Sequence, residues 1–442
     1  MLKAIRHIAL ILLAVLPICQ AAVPEAHAAQ PYMLYLPLTA RSYKPGYVTP
    51  FGVTMYWGIN DRNGLPQMAA AHSGRVTTFL FWYLIEPTAP VGGVHNYRWS
   101  GFDASVANAQ AHGMDVFVLL SGNPAWAAAT SVGPVTNTKD LTDFVSAAVG
   151  RYAGEIRDWS FYAEPDMATR WGNDPAGYAD MLASVAKAVH AANPNARVMN
   201  GGLAYDGFTW GFVESFLPGV LAALSQKPGG IRATLDAVAF HFYPINTRWP
   251  TIADKARVIR GILTQYEVGD LPLRVPEMGF WSTGSSSQIT QARELVKIYA
   301  RGLAAGIEQL SWFSVYDDGC NCGLFPSLYA EGNLDHPKLA YTAYANLVNE
   351  LYGATYLYPL AIAGVEGYVF DNLSGLPQTV LWASVPAGAL VPFAATCLRS
   401  VDALGVTTVV RDGQAQDNDG LAGQVTLRIA SDQPLYVTPC TP

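Results

Sequence analysis

Eight short apolar stretches, each followed by a segment of helical length, recur between Phe51 and residue 319, and few folds accept that rhythm. The strand-like runs are Phe51–Ile59, Val76–Ile85, Asp115–Leu120, Arg157–Ala163, Arg197–Asn200, Leu235–Tyr243, Leu271–Val275 and Gln309–Val315. Helical periodicity fills the intervals, as at Leu141–Tyr152, Pro175–His190 and Thr290–Ala305. Eight such units in a span close to ~250 residues predict a (β/α)8 TIM barrel over residues 51–353. An open doubly wound sheet is the alternative, disfavoured because no glycine-rich phosphate turn follows an early strand. The last helix carries the clearest signals. Asp335 stands as its cap, Pro337 in its first turn, Leu339, Ala343, Leu347 and Leu351 at intervals of four, and Gly353 to stop it.

Beyond residue 353 the pattern shortens to β-type runs at Thr379–Ser384, Val406–Arg411 and Gln424–Ile429, separated by Gly, Asp and Pro. Residues 354–442 therefore read as a small all-β, sandwich-like domain. Asp417-Asn418-Asp419-Gly420 opens like a calcium loop but lacks the terminal bidentate carboxylate, so a hairpin turn is the reading there. Trp382 falls inside a β run, where burial is expected over ligand stacking.

The N-terminus has the layout of an export signal over residues 1–28: Lys3 and Arg6, the apolar run Ile8–Ile18, then Ala26-His27-Ala28. That run is too short to anchor in a bilayer, and bulky Ile18 disfavours lipidation at Cys19. Pro31, Pro37, Pro45 and Pro50 mark residues 29–50 as a tether. Cleavage would leave Cys320, Cys322, Cys397 and Cys440, an even count that favours disulfides in an oxidising compartment. Cys397 and Cys440 would clip the C-terminal domain shut. Cys320 and Cys322 are so close that a strained bridge and two free thiols are both open. A metal site there, with Asp317 and Asp318, lacks a second ligand cluster.

With 51% hydrophobic and 14% charged residues the chain has a deep core and is no disordered segment. A net charge of −7 argues against a nucleic-acid partner. Ten of the 11 Trp lie between Trp57 and Trp312, a surplus that fills a core or lines a sugar cleft.

In a barrel, chemistry sits where strands run into the following loops. Strand four runs out as Tyr162-Ala163-Glu164-Pro165-Asp166, and strand seven as Val275-Pro276-Glu277-Met278-Gly279-Phe280-Trp281. Each places one Glu at its exit. Pro165 biases Glu164 toward extended backbone, and Pro276 ends or bulges the ladder before Glu277. Two carboxyls facing across a barrel mouth suit glycosidic cleavage, one protonating the leaving oxygen and the other attacking the anomeric carbon. The bland reading makes Glu164 a helix cap and Glu277 half of an ion pair. No His-x-His, His-Glu-x-x-His or Gly-x-Ser-x-Gly pattern supports a metal or serine hydrolase.

Over residues 51–353 the chain resembles the clan A retaining glycoside hydrolases, nearest to families 39 and 5. Besides the two Glu, the resemblance rests on Trp82-Tyr83-Leu84-Ile85-Glu86-Pro87, Asn123-Pro124-Ala125-Trp126-Ala127, His241-Phe242-Tyr243-Pro244 and Ser311-Trp312. It implies Glu164 as acid/base, Glu277 as nucleophile, His241 and Tyr243 in support, Trp312 as the floor of the sugar site, and no cofactor or metal. His241 and Tyr243 share strand parity, so both can face the lumen while Phe240 and Phe242 pack outward; a core role for His241 is the plain alternative. Two positions depart from the family: Ala163 replaces an Asn that contacts the sugar, and Thr77 replaces an Arg near the nucleophile. Arg75, two residues earlier on the same strand face, is the substitute cation to consider.

The expectation is a secreted retaining β-glycosidase acting on an oligo- or polysaccharide. The charge of Glu277 should raise the pKa of Glu164, and Trp57, Trp82, Trp126, Trp281 and Trp312 stand at strand ends where they can stack on sugars. The rival reading, motivated by Ala163 and Thr77, is a glycan-binding protein without turnover.

Overall fold

The computed structural model describes residues 49–204, 212–244, 248–284, 286–317, 319–327 and 334–441. The expected signal segment, residues 29–48 of the tether and Asp318 lie outside these residues.

Eight parallel strands alternate with eight helices. The strands are β1 (Phe51–Met55), β2 (Arg75–Phe81), β3 (Asp115–Ser121), β4 (Ile156–Phe161), β5 (Arg197–Asn200), β6 (Val238–Phe242), β7 (Leu273–Met278) and β8 (Ile307–Trp312). The helices that follow them are α1 (Leu65–Ala70), α2 (Ser100–Ala111), α3 (Thr138–Arg151), α4 (Pro175–Ala192), α5 (Phe216–Ser225), α6 (Ile252–Gln265), α7 (Gln288–Ala304) and α8 (Leu339–Leu351). The sheet order is β5-β4-β3-β2-β1-β8-β7-β6. Parallel bridges Met199–Ala237 and Leu203–Phe240 join its two ends, so the sheet closes into the expected barrel.

Local chemistry explains where the helices begin. Asn137, Asp174, Thr251 and Ser287 each accept a hydrogen bond from a first-turn N–H of α3, α4, α6 and α7, satisfying donors that the helix itself leaves orphaned. Helix α8 departs from expectation. Asp335 does not cap it and Pro337 precedes it; extended Lys338 is the N-cap, and the Leu339 N–H donates to Gln288 Oε1 at 3.2 Å. Gly353, at φ +69°, follows its last turn as expected.

The main core fills the layer between sheet and helices, with Trp82, Trp159, Phe240, Phe242 and Trp312 in it. Inside the barrel, Phe117, Met199, Ala237 and Ala239 form a separate small cluster. Below them, at the strand beginnings, the filling is polar: Arg75, Asp158, Arg274 and Gln309 are all buried.

The C-terminal segment is all-β as expected, with eight strands: β9 (Thr355–Pro359), β10 (Val365–Asp371), β11 (Pro377–Ala383), β12 (Ala389–Phe393), β13 (Cys397–Asp402), β14 (Thr407–Arg411), β15 (Val425–Ile429) and β16 (Leu435–Pro439). Six of them make an antiparallel sheet ordered β14-β13-β16-β11-β10-β9, and β12-β15 form a separate ribbon. Strand alternation divides the side chains: Leu381, Leu398 and Val437 meet Val391, Val425 and Leu427 of the ribbon, whereas Val380, Trp382 and Tyr436 join the barrel's core. Trp382 is buried, with the Arg301 guanidinium 5.1 Å and Lys297 Nζ 5.9 Å from its ring. It is a packing residue. Asp417–Gly420 form no hairpin turn, because β14 and β15 belong to different sheets; Asp417 and Asp419 instead cap the loop's own N–H groups. The pairs Cys397–Cys440 and Cys320–Cys322 are both disulfides. Among the described residues no cluster of His, Cys, Asp and Glu could hold a metal, and no helix is long and apolar enough to cross a membrane.

Candidate active site

The exits of β4, β6 and β7 converge. The Nδ1 atom of His241 lies 3.2 Å from Glu164 Oε1 and 3.5 Å from Glu277 Oε2. Both oxygens touch one nitrogen, so they lie within about 7 Å of each other. Tyr243 Oη donates to Glu277 Oε2 at 3.3 Å. His241 and Tyr243 thus share the lumenal face while Phe240 and Phe242 sit in the outer core.

Each carboxyl is aimed by its backbone. The β7 ladder shifts register between Val275 and Met278, as Pro276 requires, and the freed Pro276 carbonyl accepts from Thr54 Oγ1 at 3.0 Å. Glu164 is not extended. Its φ is +47° and that of Tyr162 is +62°, a left-handed geometry rare for side-chain-bearing residues. The turn is held by the Glu164 N–H donating to the Gly202 carbonyl (3.0 Å) and by buried Tyr162 Oη donating to Asn123 Oδ1 (2.7 Å). A Cβ at Gly201 would overlap the Tyr162 carbonyl, and one at Gly202 would lie 2.0 Å from His241 Nε2. Gly201 and Gly202, at the exit of β5, are therefore what allow both the Glu164 turn and the imidazole to seat. His241 Nε2 is buried against Gly202 with no hydrogen-bond partner among the described residues, which leaves Nδ1 as the ring's working nitrogen.

Two cations that sequence reasoning passed over complete the site. Arg170, from the loop after β4, places Nη1 at 3.3 Å from Glu164 Oε2 and donates to the Ala163 carbonyl. Lys255, buried on α6, donates from Nζ to the carbonyls of His241 (2.6 Å) and Ala204. Arg170 carries one legible signal, a lone basic residue six positions past Glu164. Arg75 is not the substitute cation. It begins β2, at the opposite end of the barrel, where Nη1 donates to Gln309 Oε1 (2.7 Å) and Asp158 Oδ2 (3.2 Å). Thr77, one layer higher, donates to Ser311 Oγ at 3.0 Å.

The charge balance reverses one expectation. Burial and the neighbouring Glu164 charge push the Glu277 carboxyl up, against the pull of His241 and Tyr243. Burial also acts to raise Glu164, but the His241 hydrogen bond and charge, with Arg170 and Lys255, outweigh it and hold the carboxyl low. His241 goes up: burial opposes its charge, and the two carboxylates overcome burial. So it is Glu277, not Glu164, that is pushed toward the protonated form.

The tryptophans separate. Trp82 is fully buried, its Nε1 donating to Glu86 Oε2 (2.9 Å) and its ring stacked on Phe144, so it cannot meet a sugar. Trp126 packs edge-on against Trp82 and donates to the Glu86 carbonyl at 3.0 Å. Trp312 is also fully buried, turned outward against Tyr299 with Nε1 on the Cys322 carbonyl. Strand alternation gives the inner face to its neighbours, and it is Phe313 whose ring meets Tyr243, 6.2 Å away. Trp281 is half-buried, face to face with Phe280. Trp57 is 59% exposed at the rim beyond β1.

No protein-family model matches the chain, and no curated protein sequence matches it. Solved structures do. A family 39 glycoside hydrolase from the gut symbiont Bacteroides cellulosilyticus WH2 superposes with a TM-score of 0.69 at 20% identity, over 88% of this chain and 81% of that one. A GH39 β-xylosidase from Caulobacter crescentus gives 0.62 at 16%, over 88% and 96%. The GH39 enzyme from Xanthomonas axonopodis pv. citri gives 0.61 at 16%, over 88% and 94%. The fold is theirs. Because the match spans most of both chains, it takes in the C-terminal β sheet as well as the barrel.

Proposed function

We propose that this protein is a secreted glycoside hydrolase that cleaves a β-glycosidic bond with retention, using Glu277 as nucleophile and Glu164 as acid/base. The observation that carries the reading is the shared imidazole: two carboxyls from β4 and β7 meet one His241 nitrogen. A separation within about 7 Å accommodates the roughly 5–5.5 Å spacing of retaining enzymes and leaves out most of the wider range that seats a water. The fold shared with family 39 enzymes supports the same reaction class. The disulfides are compatible with an exported protein, in keeping with the N-terminal signal pattern.

Proton count over three groups sets the roles. Glu277 must be ionised to attack, and Tyr243 Oη steadies its anion throughout, with the His241 cation adding to this until its proton is passed on. Glu164 must hold a proton for the leaving oxygen, and the nearest store is His241 Nδ1–H, 3.2 Å away. Once the glycosyl ester forms at Glu277, its negative charge is gone, and Glu164, ionised after giving up its proton and 3.3 Å from Arg170 Nη1, is the base that activates water.

Trapping tests the assignment. Incubation with a panel of 2-deoxy-2-fluoro-β-glycosyl fluorides should add one fluoroglycosyl unit, and peptide mapping should place it on Glu277. An adduct on Glu164 would reverse the roles. No adduct, together with no reducing ends released from a glycan panel, would leave the glycan-binding protein without turnover as the reading.

A further inference from the structure

Resting on the glycosidase reading, we infer that the wall of the barrel mouth facing the carboxyl pair is a stacking ramp for a glycan longer than one sugar. The ramp is built from the ends of β1 and β2. Phe79 and Phe81 share the parity of Thr77, whose hydroxyl crosses the lumen to Ser311, so both rings point inward above it. Phe79 and Phe81 stack with centroids 5.4 Å apart at an interplanar angle of 17°, and Phe81 continues to Tyr83 at 5.5 Å. Tyr56 closes the gap to β1, 4.5 Å from Phe79, and Trp57 stands 4.7 Å beyond Tyr56.

Three features make this a surface for a ligand and not loop packing. First, exposure rises along it, from nearly buried Phe79 through half-buried Phe81 to Tyr83 at 36% and Trp57 at 59%. Every other described Trp is buried or half-buried, so Trp57 is the exception in a chain that otherwise hides its large rings. Second, the rings are backed from behind: a Cβ at Gly122 would lie 2.8 Å from the Tyr83 ring and 2.9 Å from Phe81, so the backbone there presses flush against them. Third, the ramp starts at the reacting centre. Thr54, two residues before Tyr56 on the same face, donates to the carbonyl of Pro276, the residue preceding Glu277.

The occupant follows from the chemistry of the rings. Flat apolar faces cover the C–H faces of a pyranose, and the polar tips of Trp57 and Tyr83 suit its hydroxyl edge, whereas a lipid tail would leave those tips unused. Two successive centroid steps exceed a single sugar ring, so a neighbouring residue of the chain stacks on the outer rings while the reacting sugar sits by Glu277.

Steady-state kinetics of Trp57→Ala test this, with an aryl β-monoglycoside compared against the β-1,4-linked trisaccharides cellotriose and xylotriose. The expected result is a loss of kcat/KM on the cleaved trisaccharide at least tenfold greater than on the aryl glycoside, carried by KM. Equal losses on both substrates, or none, overturn the ramp. If neither substrate turns over, the hydrolase reading fails separately, and fluorescence titration decides the ramp: quenching of tryptophan emission by a trisaccharide that disappears in Trp57→Ala upholds it, and no quenching overturns it.

Discussion

The two ends of the barrel both bury charge, and they handle it in opposite ways. At the bottom, Asp158 takes a two-pronged contact from Arg197 (2.6 and 2.8 Å) and a third from Arg75, while Gln309 Oε1 accepts from both Arg75 and Arg274. Cations there outnumber the buried carboxylate, and burial pushes Arg274 down to about 10. The ions are locked to one another by the fold. At the top, two carboxyls compete for a single imidazole nitrogen, and their protons are left undecided among three groups. Paired charge holds a structure; shared charge leaves a proton to move.

Exchanging the acids breaks that contrast most sharply. Glu277→Gln should lower turnover roughly 10⁴-fold or more, because a reacting group is removed. It should not cost stability: a carboxyl whose folded pKa is raised is a burden on the folded state once pH passes its unfolded value, and neutral Gln relieves it. Aryl-glycoside assays beside thermal melts read both effects, and a large drop in Tm would mean that Glu277 is a structural ion. Asp158→Asn should do the reverse. It strands Arg75, Arg197 and Arg274 around a buried site and should cost about 3–5 kcal/mol in urea unfolding. Per folded molecule, activity should persist. A variant of normal stability and lost turnover would show that the bottom cluster belongs to the chemistry.

How legible each end was in the sequence follows from the range of the interactions. All eight barrel strands and both Glu residues are written locally, in apolar runs and in carboxyls beside Pro165 and Pro276. The parity of His241 and Tyr243 is local too. Trp312 shows how narrow that margin is: one step along the strand turns a side chain to the opposite face, and the ring that meets Tyr243 is that of Phe313, while Trp312 packs on Tyr299. Gly201 and Gly202 were invisible, because their need arises only when the β4 turn and the β6 imidazole arrive against β5. Lys255 reaches the site from a helix, its partners being carbonyls that no side-chain pattern announces. Arg75 lies at the wrong end of the barrel for the substitute role, because parity fixes a face of the strand and says nothing of which end.

The gentlest probe of the comparison is His241→Gln, which keeps a hydrogen-bonding side chain at the shared position and removes its titration. In the wild type the His241 pKa is raised in the folded state. Its protonation therefore adds stability fully below the unfolded value of about 6.5, and that contribution fades as pH rises through the folded value. In the variant this part of the slope of Tm against pH should vanish, and the slopes of the two proteins can be compared over that window. The alkaline limb of kcat/KM should shift toward acid, because the last proton in the site would then sit on a carboxyl instead of an imidazole. Glu277, freed of the neighbouring cation, should at the same time titrate higher than in the wild type, which narrows the active range from its acid side. A variant with reduced rate but an unmoved alkaline limb would reduce His241 to a spacer between the carboxyls, and the top of the barrel would then resemble the bottom: charges fixed in place, with no proton to pass between them.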